Sequence, residues 1–65
     1  MLSIKWRQYG LKYYFNYYKG ALDGVVGPQT KQAYREFQKD HGLVVDGVYG
    51  KNTDDKLVSI VKDIQ

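Results

Sequence analysis

Apolar side chains recur at helical spacing near the start of the chain. Ile4, Leu11 and Phe15 fall on one face of a helix, and Gln8 shares that face. Ser3 is suited to cap the beginning, because its hydroxyl can accept a hydrogen bond from a free backbone N–H. The pattern therefore predicts a first helix over residues 3–18.

Two more amphipathic segments follow. Residues 28–41 predict a second helix with the apolar face Ala33, Tyr34 and Phe37. Residues 51–63 predict a third helix with the apolar face Leu57, Ile60, Val61 and Ile64. Between them, residues 43–45 (Leu-Val-Val) are expected to run extended and to pack on the core. No segment alternates long enough for a sheet, so we expect an all-α, compact three-helix domain that occupies residues 1–65 as a single unit.

An internal repeat marks the start of the second and third helices. The string DGVVGPQT at 23–30 returns as DGVYGKNT at 46–53, with five of eight positions identical and an offset of 23 residues. A repeat of this kind indicates that two equivalent Asp-Gly turns precede two equivalent helices.

The residues shared by the two copies have structural roles. In each copy the Asp carboxylate can accept a backbone N–H two residues on, the next Gly can take a positive φ, and the Thr hydroxyl can bond the turn. A second Gly just before each helix, Gly27 or Gly50, is a further position expected to be conformationally permissive. Pro28 suits a first helical turn. We therefore interpret the turns as scaffolding rather than as a site of chemistry.

The first helix carries a second, aromatic stripe. Trp6, Tyr9, Tyr13 and Tyr17 are spaced so that they point away from the apolar face, and they should be largely exposed. They could pack on a neighbouring module or on the chain termini, or simply reflect how common Tyr is on amphipathic surfaces. Alternatively they form a ligand platform, since flat rings stack on sugars or bases.

Composition narrows the classes of function. The formal net charge is +3, which favours an anionic partner weakly and is too dispersed to indicate nucleic acid. No apolar run approaches a membrane span, and the first residues lack the apolar centre of a signal peptide. We therefore expect neither a nucleic-acid nor a membrane partner.

The residues required for catalysis are sparse. There is no Cys, and His41 is the only His, which excludes a Cys–His pair and a multi-His zinc site. His41 is expected to be solvated at a helix end. Glu36 and Asp40 form an i, i+4 carboxylate pair, but nothing predicts a pocket that would raise the pKa of either. The sequence therefore indicates no catalytic residues, no metal and no cofactor.

With both turns in view, the chain resembles a small three-helix peptidoglycan-binding domain. The resemblance rests on YYKGALDGVVGPQTKQAYREFQKDHGL (17–43), on VDGVYGKNTDDKL (45–57), and on Gln8 and Leu11, so it covers nearly the whole chain. It implies a non-catalytic module that holds bacterial cell-wall peptidoglycan and acts at the cell wall. It also implies an attached catalytic domain of a cell-wall hydrolase, such as a bacteriophage endolysin, a spore-cortex enzyme or an amidase.

Three positions depart from that family pattern. Arg7 stands where an aliphatic residue is usual, which leaves the edge of the core there open. Lys51 replaces the Pro often found in the second copy. Asn16 replaces Gly, a mild change because Asn also tolerates positive φ.

Eight residues are candidate ligand contacts. Tyr17, Tyr18 and Tyr49 rank first, because they enter or lie within the turns and would border one groove if the turns were close. Trp6, Tyr9 and Tyr13 rank second, on the outer face of the first helix, where they could instead dock the catalytic domain. Lys19 and Arg35 are candidates for carboxylates of the stem peptide or wall polymer.

Two alternative functions stay open. The same three-helix fold could serve as a protein-interaction or regulatory module, as similar domains do in pro-segments of extracellular metalloproteases. Nucleic-acid binding by a basic helix-turn-helix is a distant third. The aromatic stripe and the mild basic charge favour sugar and anionic wall polymer.

Overall fold

Three α-helices form the part of the chain that the computed structural model describes, residues 1–61. They are α1 (Ile4–Tyr13), α2 (Pro28–Asp40) and α3 (Lys51–Ile60). No strand occurs within residues 1–61. The predicted all-α, three-helix class is confirmed.

Helices α2 and α3 begin where the repeat predicts. Each follows its turn directly, with Gly27 and Gly50 as the N-cap residues. Their φ values of −104° and −98° are open to any residue, so the permissive conformation expected at these glycines is not needed. Helix α3 ends at Ile60. Residues 62–63 of the predicted third helix, and Ile64 of its predicted apolar face, lie outside the described residues.

Helix α1 is shorter than predicted. It ends at Tyr13, and the N–H groups of Tyr17 and Tyr18 both donate to the Leu11 carbonyl, at 2.8 and 3.2 Å. Asn16 makes this reversal possible, because it adopts a left-handed φ of +61°. The chain folds back under α1, and the Phe15 ring lies 5.4 Å from that of Phe37. Consequently Tyr17 does not extend the helical aromatic stripe, contrary to expectation.

The core lies between the three helices and the two connecting segments. Its buried apolar residues are Leu11, Tyr18, Ala33, Tyr34, Phe37, Tyr49, Leu57 and Val61. Leu2, Tyr9, Phe15, Tyr17, Leu22 and Leu43 pack against it. Three of the eight buried residues are tyrosines, so polar hydroxyl groups must find partners inside a very small domain.

The connection between α2 and α3 departs from its prediction. Leu43 is half-buried against the core, but Val44 and Val45 are 77% and 50% exposed. Ile60, expected on the apolar face of α3, is 37% exposed. The expectation of a packed apolar bridge is wrong at both valines, because the backbone after them is held at Asp46 by a bond to Gln38, described below.

No helix among residues 1–61 has the length and apolar character required to cross a lipid bilayer.

Candidate functional site

A buried glutamine holds the second turn. The Gln38 side-chain nitrogen donates to Asp46 Oδ1 at 3.0 Å, to the Val48 carbonyl at 2.9 Å and to Thr53 Oγ1 at 3.1 Å. Its oxygen accepts the N–H groups of Asp46 and Gly47, at 3.2 and 3.0 Å. A single side chain of α2 therefore satisfies both ends of the loop that leads into α3.

A second glutamine repeats this arrangement at the first turn. Gln8 donates to Asp23 Oδ1 at 3.1 Å, to the Val25 carbonyl at 3.0 Å and to Thr30 Oγ1 at 3.2 Å. Its oxygen accepts the Gly24 N–H at 3.0 Å. Gln8 and Gln38 are both fully buried. We call each assembly of glutamine and turn a glutamine lock.

The carboxylates of the turns are occupied within the locks. Asp23 and Asp46 each accept the N–H two residues on, from Val25 at 3.0 Å and from Val48 at 2.9 Å. The Val25 N–H and the Gln8 amide together hold the pKa of Asp23 below its usual range. The predicted Asp contacts are confirmed, as is the bond from the Thr30 hydroxyl to the turn backbone.

Each turn glycine has a positive φ, +73° at Gly24 and +72° at Gly47, as predicted. A cationic side chain lies against each one. A methyl group added to Gly24 would lie 3.4 Å from Lys5 Cγ, and one added to Gly47 would lie 2.8 Å from Arg35 Nη1. Lys5 and Arg35 each precede the lock glutamine by three residues, so the repeat extends to the surface that surrounds the turns.

Arg35, a candidate ligand contact, is exposed beside the second turn. Its guanidinium also bonds Gln32 Oε1, at 3.3 and 3.4 Å. The groove along this turn has a volume of about 450 Å³ and an apolar rim formed by Val44 and Val48, which is 63% exposed. It is also lined by Gln38, Asp46 and Thr53 of the lock. We call it the turn-two groove.

Tyr17 and Lys19, two further candidate contacts, line a second pocket of about 400 Å³. The Tyr17 ring stacks on Phe15 with centroids 5.4 Å apart, and its hydroxyl donates to Asp40. Burial and that carboxylate raise the pKa of Tyr17 to about 12. Lys19 is exposed and bonds the Asn16 carbonyl at 2.9 Å. Glu36 and Lys39 complete the lining of this Tyr17 pocket.

Tyr18 lies inside the molecule rather than on a groove. It is 3% exposed, and its hydroxyl donates to the Ala21 carbonyl and accepts from Gln8. Its polar group is therefore part of the first glutamine lock. Such a ring cannot stack on a ligand without unpacking, and any contact between Tyr18 and a ligand stays a prediction.

Tyr49 is also placed in the core, at 9% exposure. The Arg7 guanidinium lies 4.1 Å from its ring centroid, the Tyr34 ring lies 5.2 Å away, and its hydroxyl donates to Asp54 at 2.9 Å. Burial and the Asp54 carboxylate raise the pKa of Tyr49. None of the ring contacts within residues 1–61 joins Tyr49 to Tyr17 or Tyr18, and a groove bordered by all three rings stays a prediction.

The contact between Arg7 and Tyr49 was missed by sequence reasoning. Arg7 also donates to the Leu2 carbonyl at 2.9 Å and to the Tyr34 hydroxyl at 3.3 Å. Arg7 therefore forms the edge of the core at this position, which the sequence had left unresolved. Each of the two residues departs from an expected pattern. Arg7 stands where the family usually has an aliphatic residue, and Tyr49 stands where the first turn has Val26. The sequence signal for this contact was that both departures occur in the same chain, since a cation and the face of an aromatic ring attract each other.

A third surface follows the outer face of α1, where the aromatic stripe holds at three of its four positions. The Trp6 and Tyr9 rings meet edge to face, 5.4 Å apart and 81° between planes, and Tyr13 follows at 5.2 Å from Tyr9. Trp6 is 46% exposed and Tyr13 62%. Trp6 and Tyr9 line a pocket of about 460 Å³ with Ser3, Lys5 and Leu22, which we call the Trp6 pocket.

Two of the titratable candidates, Asp40 and His41, are tied into the scaffold. His41 is half-buried rather than solvated, because its ring stacks on Phe37 at 4.3 Å and its Nδ1 lies 2.8 Å from the Phe37 carbonyl. Asp40 accepts the Tyr17 hydroxyl. Within the described chain, no three His, Asp or Glu side chains are arranged to hold a metal ion.

Comparison with known proteins defines the class. Residues 2–57 match the family model described as "Putative peptidoglycan binding domain", and the chain belongs to that family. The match includes both glutamine locks, so the geometry described above is that of the family's fold in this chain. No solved structure matches the chain at a significant level.

Curated relatives are much longer enzymes. The chain is 45% identical over 53 residues to the N-acetylmuramoyl-L-alanine amidase CwlL of Bacillus licheniformis, covering 75% of this chain and 15% of that protein. It is 47% identical over 45 residues to a spore cortex-lytic enzyme of Oceanobacillus iheyensis, covering 69% and 16%. It is 42% identical over 43 residues to a zinc D-Ala-D-Ala carboxypeptidase of Streptomyces albus G, covering 66% and 17%. The chain spans less than a fifth of each of these relatives.

Proposed function

We propose that this chain is a non-catalytic module that binds bacterial cell-wall peptidoglycan and directs an attached hydrolase to it. The observation that carries the proposal is the family match over residues 2–57, nearly the whole chain. The named relatives support the proposal of an attached hydrolase, because they are an amidase, a cortex-lytic enzyme and a carboxypeptidase of which the chain covers only a small part. In this proposal catalysis belongs to the remainder of a longer protein, and the module acts at the cell wall.

The engagement of two potential acid and base groups supports a non-catalytic role. Asp40 and His41 are held by Tyr17 and by Phe37, and a hydrolase needs a free acid and base on either side of its substrate. An origin in a bacteriophage endolysin stays a prediction.

Within this function, the Tyr17 pocket is our candidate for the peptide part of the polymer. It joins a half-buried aromatic ring to the exposed ammonium groups of Lys19 and Lys39, which can pair with carboxylates of a stem peptide. Arg35 offers a bidentate partner beside the second turn, where it lies against Gly47. Ligand contact at Tyr18 and Tyr49 stays a prediction, and both rings are buried in the core.

Retention on purified sacculi tests the function. We expect the chain to sediment with sacculi at low salt and to remain partly bound at about 0.5 M salt, where charge screening acts within a few ångströms. Lys19→Met should weaken retention more than Lys56→Met, which removes the same charge from an exposed site outside the Tyr17 pocket.

The results of the sacculus assay distinguish failure of the proposed function from failure of the proposed role of Lys19. Absence of retention at low salt would exclude peptidoglycan binding and favour the protein-interaction alternative. Equal losses in the two lysine variants would leave the function intact and remove Lys19 from the site.

A further inference from the structure

The Trp6 pocket is an exposed aromatic corner with a polar rim. The only Trp of the chain stands nearly perpendicular to Tyr9, and Leu22 adds an apolar wall from the segment before the first turn. Ser3 and Lys5 complete the lining. Its volume of about 460 Å³ falls in the range of pockets that hold small ligands.

The walls of the pocket are fixed by contacts outside it. The Tyr9 ring packs against the core. The stem of Lys5 lies against Gly24, whose N–H is held by Gln8 at 3.0 Å. A pocket arranged before the ligand arrives loses less side-chain freedom on binding, so more of the contact energy appears as affinity.

We propose that the Trp6 pocket binds a sugar ring of the glycan strand, an N-acetylated hexopyranose. One face of such a ring presents C–H groups, which pack flat on an indole. Tyr9 then meets the edge of the sugar, while the Ser3 hydroxyl and the Lys5 ammonium donate to its oxygen atoms. The identity of this ligand rests on the proposed function. The inference adds that α1 recognises the polysaccharide, whereas the Tyr17 pocket recognises peptide carboxylates.

A sugar fits this surface better than a docked protein domain. A stable protein interface covers about 800 Å² on each partner, which is about a fifth of the 3971 Å² surface of this chain. The centre of such an interface is depleted in charge. Here Lys5 borders the pocket and the Lys12 ammonium lies 5.7 Å from the Tyr13 ring, so charges occupy both ends of the aromatic cluster.

The single Trp makes the inference directly measurable. We expect the tetramer of β-1,4-linked N-acetylglucosamine to change the emission of Trp6 saturably, whereas a free stem pentapeptide should leave it unchanged. On peptide-free glycan strands, Trp6→Ala should weaken binding about fivefold, the equivalent of one aromatic contact. Tyr13→Ala is the matched control, because Tyr13 belongs to the same cluster and is more exposed, yet does not line the pocket. Its binding should change less than about twofold.

The outcomes are distinguishable from those of the proposed function. If wild type binds sacculi but the tetramer leaves Trp6 emission unchanged and Trp6→Ala binds glycan normally, the glycan site is overturned and peptidoglycan binding stands. Equal losses in Trp6→Ala and Tyr13→Ala, with both variants melting as wild type, would also overturn a site confined to this pocket. A response to the pentapeptide alone would assign the pocket to peptide and overturn the inference. If sacculi retain nothing, the proposed function fails, while the emission titration still decides whether the pocket takes a sugar.

Discussion

Two glutamine side chains organise the loops of this protein. Gln38 contacts both ends of the second turn, and Gln8 does the same at the first. A buried amide of this kind gains little over water when all its bonds are made, but its partners are costly to leave unsatisfied. The locks therefore confer specificity on the loops more than raw stability.

Replacing the glutamine of a lock tests whether leaving its hydrogen-bond partners unsatisfied is costly. We expect Gln38→Leu to lower the free energy of unfolding by more than about 2 kcal/mol, because the Gly47 N–H and the polar groups of Asp46 and Thr53 lose their partner. Gln32→Leu, an exposed position on the same helix, should change it by less than about 0.5 kcal/mol. Urea denaturation measures both, and equal midpoints for the two variants would contradict a structural role for the lock.

The turn glycines should be intolerant of side chains. Gly24→Ala and Gly47→Ala each force a left-handed backbone on a residue that disfavours it, and we expect a loss above about 1 kcal/mol in each. Gly50→Ala is the control, since its φ is negative and nothing lies within 4 Å of an added methyl group. Thermal melts should rank Gly50→Ala as the mildest. Unchanged melting in Gly24→Ala and Gly47→Ala together with lost sacculus binding would instead make the turns ligand sites.

At the scale of elements, the first turn of α3 holds the beginning of the chain. Asp54 accepts the Leu2 N–H and the Tyr49 hydroxyl, each at 2.9 Å, and its side chain is only 13% exposed. Burial alone would raise the pKa of Asp54, but these bonds and the charge of Arg7 outweigh it and hold that pKa below its usual range. One carboxylate thus connects α3, the segment before α1 and the second turn.

The depressed pKa sets a direction for pH dependence. A carboxyl group that binds its proton less tightly when folded stabilises the fold above its unfolded pKa of about 4, and this stabilisation is lost as the pH falls through the folded pKa. We expect Asp54→Asn to cost more than about 1 kcal/mol at pH 7. The difference from wild type should shrink below about pH 4.

Denaturation at pH 7, 5 and 3 measures this effect. Asp55→Asn is the control, because its pair with Lys51 at 2.8 Å is exposed and contributes little. A constant difference between Asp54→Asn and wild type at all three pH values would show that the charge of Asp54 is not involved.

Sequence patterns predicted the bounds of some helices better than those of others, for physical reasons. Helix α2 was predicted well, because Pro28 begins it and a clear apolar face continues through it. The end of α1 was overestimated, since Phe15 keeps the helical spacing and only the left-handed Asn16 reveals that the chain has turned back. Apolar residues can keep helical spacing after a helix has ended, so periodicity alone does not show where the helix gives way to a connecting segment.

The candidate site was harder to predict than the fold. Exposure of Trp6 and Tyr13 follows from angles around one helix, which the sequence contains. Burial of Tyr18 and Tyr49 depends on partners far along the chain, such as Gln8 and Arg7, which no local pattern brings together. Equivalent turns in a repeat also suggested a shared groove, but equivalence in sequence does not determine which of the tyrosine rings are buried.

At the scale of the whole molecule, we expect the isolated chain to leave suspended cell walls intact. The turbidity of such a suspension should stay constant at concentrations of the chain that saturate sacculus binding, because Asp40 and His41 are bonded into the scaffold. A longer protein that carries the module together with a hydrolase should clear the same suspension. Reproducible clearing by the isolated chain that is abolished in Glu36→Gln would show that it is an enzyme.

The two glutamine locks close loops of different length, and this difference predicts an order of events in folding. Gln38 reaches Asp46 across 8 residues, whereas Gln8 reaches Asp23 across 15. Closing the longer loop costs about 0.6 kcal/mol more chain entropy, so α2, the second turn and α3 should assemble first. In folding kinetics, Gln38→Ala should chiefly slow refolding and Gln8→Ala should chiefly speed unfolding. A module built from one motif used twice would then have a nucleus in its second copy, leaving the first copy, beside the Trp6 pocket, as the part that opens most readily.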